Sequence, residues 1–139
     1  MCLRRSVRAT VAPCRRVPVP PGAACLPALL RAEKLQKRAA REGFDWPDTR
    51  GPADKLVEEI GELAEAPSAK QLEEAGDLLF AAVNLVRAYG IGAEEALRAA
   101  NDKFERRYRA MEGLADGAFA TLTLEQQEAL WQEVKRTER

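Results

Sequence analysis

Two acidic clusters carry most of the chemistry in this chain, Glu58-Glu59-Ile60-Gly61-Glu62 and Glu74-Ala75-Gly76-Asp77. Each ends on two carboxylates three residues apart, Glu59 with Glu62 and Glu74 with Asp77. Residues at i and i+3 are neighbours on one helix face, so two such helices packed antiparallel would gather four carboxylates. Like charges at short range repel and raise each other's pKa unless something positive lies between them. A hard divalent cation relieves that repulsion, and Mg²⁺ is the first candidate, with Mn²⁺ a possible substitute, because both take carboxylate oxygens. The spacing therefore predicts a metal-dependent enzyme.

Where the carboxylates point follows from counting about 100° per residue. In the helix that carries the first cluster, the apolar stripe centres near Ile60; Glu59 lies at its margin and Glu62 one step further round. Glu58 and Glu65 are nearly opposite, Glu65 facing solvent and Glu58 able to reach in as a base or an outer ligand. In the next helix the stripe centres near Ala75 and Ala82, with Glu74 at its margin and Asp77 one step beyond. Both pairs thus stand in the same relation to their cores and are expected to converge on one cleft. Gly61 and Gly76 inside these helices each cost about 1 kcal/mol relative to Ala, which fits close helix approach or ligand access. Gln36 and Asn101 are polar residues on apolar stripes, and Asn101 is followed by Lys103, Arg106 and Arg107. Cations beside a carboxylate–metal cluster suit a polyphosphate. Taken singly, each feature has a plainer reading: a solvated acidic face, a core amide bonded to backbone, a surface ion pair.

Helices must position these residues. Apolar periodicity predicts five, at about 27–42, 52–65, 69–89, 93–112 and 124–137. Pro27 suits a first turn, Ser68 a helix N-cap after Pro67, and Gly90 and Gly92 a helix end. The third helix is apolar nearly all round between Leu78 and Val86, which predicts full burial. A loop, Gly43-Phe44-Asp45-Trp46-Pro47-Asp48, offers two aromatics between the first two helices. No stretch alternates like a strand. Short links between helices favour antiparallel neighbours, so the fold class is an all-α antiparallel helical bundle.

The 139 residues suffice for one domain with its own core. Net charge is zero, yet six of the 22 basic residues and none of the 22 acidic ones precede residue 33, which leaves an acidic body. That balance argues against a nucleic-acid binder, which needs a basic face, and no apolar run is long enough to span a membrane. Cys2, Cys14 and Cys25 form no CxxC pair and the chain has no histidine, so a zinc site or a Ser-His or Cys-His nucleophile is not expected. Unpaired thiols suit a reducing cytoplasm. Residues 1–25, rich in Arg and Pro, read as a disordered leader before a domain at 26–139: a flexible extension or an upstream translation start rather than a transit peptide, since no amphipathic helix is evident.

In combination these motifs resemble the MazG nucleotide pyrophosphohydrolases. The resemblance rests on Glu58-Glu59-x-x-Glu62, Glu74-x-x-Asp77 running into Leu78-Leu79-Phe80 and Asn84-Leu85, Leu35-Gln36 through Gly43-Phe44-Asp45-Trp46, Asn101-x-Lys103-Phe104-x-x-Arg107, and Leu130-Trp131 with Lys135. It covers about residues 26–139 and implies the all-α NTP pyrophosphatase fold, a homodimer or higher oligomer, and Mg²⁺-dependent hydrolysis of (deoxy)nucleoside triphosphates to monophosphate and pyrophosphate. Carried over by position, Glu59, Glu62, Glu74 and Asp77 would be metal ligands, with Glu58 and Glu59 serving catalysis. Asn101, Lys103 and Arg107 would contact phosphates or sugar, and Trp46 and Gln36 the base. The resemblance is to the C-terminal of two tandem domains in long members, so the leader could be the remnant of a lost half. The spacer between Glu62 and Glu74 holds only 11 residues, at the short end for the family. Alternatives are a narrower dUTP, dCTP or phosphoribosyl-ATP pyrophosphohydrolase, or a catalytically silent helical interaction module.

Overall fold

Two glycine-terminated helix ends and one capping box set where the chain turns. The computed structural model describes residues 26–138; the expectations about the leader and its three cysteines lie outside them. Five helices follow in order: α1 (Ala28–Arg41), α2 (Arg50–Glu65), α3 (Gln71–Ala88), α4 (Ala93–Leu114) and α5 (Leu124–Thr137), with a short 3₁₀ turn at Phe119–Thr121. After α1, Gly43 takes φ +89°, the Gly43 N–H donates to Ala40 O, and the Phe44 N–H reaches back to Ala39 O. The same left-handed cap recurs after α3, with Gly90 at φ +75° and Ile91 N–H on Val86 O. These conformations suit glycine because it has no Cβ. At the start of α5, Thr123 Oγ1 accepts from Gln126 N–H at 3.3 Å while Gln126 Oε1 accepts from Thr123 N–H at 2.8 Å, the reciprocal capping box.

The α2–α3 hairpin is the most extensive contact; α1 packs on α3 and α4, and α5 returns along α4. The expected all-α bundle is present, with no strand among the described residues. Two details differ from the sequence reading. Ser68 is not an N-cap: the turn continues through Lys70, which precedes α3. The α3 stripe is not fully buried either. Ala81 and Val83 are, but Leu79 and Phe80 are 59% and 45% exposed. Likewise α2 buries Pro52 and Glu59, while Ile60, expected at the centre of the inward stripe, stays exposed, as does Val57. Among the described residues no element covers these apolar side chains.

A carboxylate with no expected role ties α1 to α4. Glu33 is buried; it accepts from Ala93 N–H at 3.3 Å and pairs with Lys37. It thereby satisfies one free N–H at the positive end of α4. The Lys37 hydrogen bond, assisted by the Ala93 N–H, holds its pKa below the usual 4.5 against the opposing effect of desolvation. A carboxylate depressed in the folded state contributes stability that is complete above its unfolded pKa and is lost as pH falls through its folded value. Glu33→Ala should therefore cost about 1–3 kcal/mol at neutral pH. In urea titrations the gap from wild type should narrow only below about pH 4.5; a gap constant down to pH 3 would contradict this account.

Candidate active site

The acidic clusters meet on one side of the α2–α3 hairpin. Glu59 and Glu62 of α2 and Glu74 of α3 each offer a carboxylate oxygen, and these atoms lie within 4.8 Å of one another. Their burial is graded: Glu59 is 5% exposed, Glu74 half-buried, Glu62 open. Glu59 Oε2 is buried with no hydrogen-bond partner. Desolvation, then hydrogen bonding to Glu59 and its negative charge, push the Glu62 carboxyl above its ordinary pKa, as expected where carboxylates crowd. Hard oxygen donors, mutual approach and an orphaned buried acceptor together fit a divalent cation. Asp77, one turn along α3, is exposed and outside this group of three.

One cation already faces the cluster. Lys55, a turn before Glu59, places Nζ 2.7 Å from Glu59 and 2.9 Å from Glu58. Those contacts, Glu59 first, raise its pKa above the usual lysine value. Glu58 is exposed and Glu65 faces solvent.

A cavity of about 410 Å³ opens between α1, the loop after it and α3, walled by Leu35, Phe44, Trp46 and Phe80 with Gln36, Asn84 and Arg87 at its polar positions. Gln36 Nε2 donates to Phe80 O at 2.9 Å, so this amide is bonded to backbone as its plainer reading has it; its Oε1 is buried without a partner. Arg87 donates to Asp45 at 2.5 and 3.1 Å and to Asn84 Oδ1 at 2.7 and 3.0 Å, pinning the aromatic loop to the end of α3. The guanidinium holds the Asp45 carboxyl below its usual pKa. The Trp46 ring lies over Gly51, where an added Cβ would come within 2.2 Å of the indole. Size and apolar aromatic walls are those of a small-molecule site.

The α4 candidates stand elsewhere. Asn101 borders a separate groove with Leu29, Leu97 and Arg98. Lys103 is exposed and forms no ion pair among the described residues. Arg107 pairs with Glu138 at 2.7 Å and stacks 5.4 Å from the Trp131 ring centre. So the single chain joins three of the four expected ligands, brings Trp46 and Gln36 together in one cavity, and brings none of the α4 residues to the carboxylates. Lys55, Arg87 and Asp45 were not singled out from the sequence. The lysine's i+3 and i+4 spacing to two acids was the signal available for it.

A family model described as the MazG nucleotide pyrophosphohydrolase domain matches residues 52–111, which include Glu58, Glu59, Glu62, Glu74 and Asp77. A nucleoside triphosphate pyrophosphohydrolase of Escherichia coli K12 is 51% identical over 123 residues, covering 81% of this chain and 46% of that protein. A nucleoside triphosphate pyrophosphohydrolase/pyrophosphatase MazG of Thermotoga maritima is 42% identical over 114 residues, covering 79% of this chain and 45% of its own length. The chain thus spans just under half the length of these curated relatives. Among the described residues no helix is long and apolar enough to cross a membrane.

Proposed function

The chain belongs to the MazG nucleotide pyrophosphohydrolase family, and from that premise we propose that it hydrolyses (deoxy)nucleoside triphosphates to monophosphate and pyrophosphate, in housekeeping of the cytoplasmic nucleotide pool. The observation that carries the reading is the approach of Glu59, Glu62 and Glu74 around a buried, unpartnered Glu59 oxygen. These three would hold Mg²⁺, or Mn²⁺ in its place, with Asp77 as a fourth ligand from the next turn of α3. When bound, the ion supplies charge neutralisation at the phosphate oxygens and lowers the pKa of water.

The rest falls to side chains. Glu58, exposed beside the cluster, would orient the attacking water and accept its proton, with Glu59 fixing the geometry from beneath. The water oxygen bonds to the α-phosphorus as the bond to the bridging oxygen breaks, and pyrophosphate leaves in line. Lys103, Arg107 and Asn101, which one chain holds apart from its own carboxylates, would take phosphate or sugar oxygens across the proposed homodimer, Arg107 exchanging Glu138 for phosphate. Phe44, Trp46 and Phe80 would enclose the base, with Gln36 at the back of that pocket.

A homodimer is part of the reading. Val57 and Ile60 on α2 and Leu72 and Leu79 on α3 are each more than half exposed, an apolar surface of the kind that marks an interface. The test of function is pyrophosphate release from a panel of ribo- and deoxyribonucleoside triphosphates and phosphoribosyl-ATP with Mg²⁺. Turnover of several triphosphates is expected; preference for dUTP, dCTP or phosphoribosyl-ATP alone would replace housekeeping by a dedicated role. No turnover of any, from a folded oligomer, would leave a silent interaction module.

A further inference from the structure

Lys55 does more than a surface lysine beside acids would. A surface pair joins two hydrated groups and is worth little. Here one partner, Glu59, is 5% exposed, and Lys55 Nζ contacts it at 2.7 Å while the carboxylate's other oxygen has no partner. The same ammonium reaches exposed Glu58 at 2.9 Å, and its own side chain is 40% exposed. The lysine therefore enters the cluster from the rim, on a flexible stem that can retreat.

A divalent ion coordinated at about 2.0–2.1 Å would compete with that ammonium for Glu59, and the two cations would repel at short range. We infer that Lys55 is a tethered counter-cation of this site: it neutralises Glu58 and Glu59 in the metal-free protein and must withdraw toward Glu58 for a divalent cation to take Glu59. The strength of metal binding is then set in part by this chain's own ammonium. The inference rests on the reading of the three carboxylates as a metal site.

The test is calorimetric titration of the whole chain with Mn²⁺, without nucleotide, for wild type, Lys55→Met and Lys55→Arg. With its competitor gone, Lys55→Met should bind about tenfold more tightly, as removal of a nearby unit charge implies. Lys55→Arg, which keeps the charge, should stay near wild type. Metal-free Lys55→Met should melt lower, since its carboxylates lose their neutralising partner, and should gain more in melting temperature on adding Mn²⁺. Equal or weaker binding by Lys55→Met would overturn the inference while leaving the metal site standing, as would Lys55→Arg tightening as much as Lys55→Met. No saturable binding by any of the three would remove the metal-site reading itself, and this inference with it.

Discussion

Glu62→Ala and Glu74→Ala should each lower Mg²⁺-dependent pyrophosphate release by more than about a hundredfold while leaving the helices formed. Both side chains offer oxygens to the same point and neither is needed to bury apolar surface. Loss of one ligand weakens the hold on the ion and misplaces the charge that must meet the phosphates. Stability should move the other way. Desolvation, then hydrogen bonding to Glu59 and its negative charge, raise the Glu62 pKa, so wherever that carboxyl is ionised the folded state carries a cost that the unfolded chain does not. Glu62→Gln should therefore melt higher than wild type in chelator and lose that advantage as pH falls and the wild-type carboxyl protonates. Glu65→Ala, on the solvent side, is the control. Asp77→Ala decides the fourth ligand: a comparable loss puts it in the set, and an unchanged rate takes it out. Wild-type turnover by Glu62→Ala and Glu74→Ala would sink the site.

Leu79→Arg combined with Ile60→Arg should turn the proposed homodimer into a monomer of 15.3 kDa by sedimentation or light scattering. Burying one such side chain is worth about 1.5–3 kcal/mol, so losing two amounts to a weakening of association on the order of a thousandfold or more. Charged groups at those positions would add a desolvation cost. If the double variant keeps an oligomeric wild-type mass, these residues are not the interface; if wild type itself runs at 15.3 kDa, the proposed homodimer is wrong.

The same exposed residues explain what was and was not legible in the sequence. Helix number and most boundaries could be read because Gly90 and the sequence around Thr123 and Gln126 act locally. The apolar period showed which residues avoid water, but not which partner covers them. Ile60 looked like the centre of a core stripe because an apolar residue that the fold leaves exposed has the same side chain as one in the interior. Hence the predicted centre of α2 faces out and its margin, Glu59, faces in. Ser68 misled in a simpler way: a good capping residue followed a proline, but the turn used two further positions, Ala69 and Lys70, before α3 began. The i, i+3 carboxylates brought out Glu59, Glu62 and Glu74 because that spacing is a property of one helix. Glu33 on Ala93 and Arg87 on Asp45 were invisible because they join residues 60 and 42 positions apart.

The indole of Trp46 resting on Gly51 has a consequence for the whole site. Gly51 lies in the first turn of α2, and Glu59 lies eight residues further along the same helix, about 12 Å at the usual rise. A rigid rod thus measures the interval between the aromatic wall and the carboxylates. One residue inserted or deleted between positions 51 and 59 would lengthen or shorten that interval by only about 1.5 Å, yet would turn one end against the other by about 100°. Point substitutions can vary either end independently, whereas the phase between them is held by the length of α2.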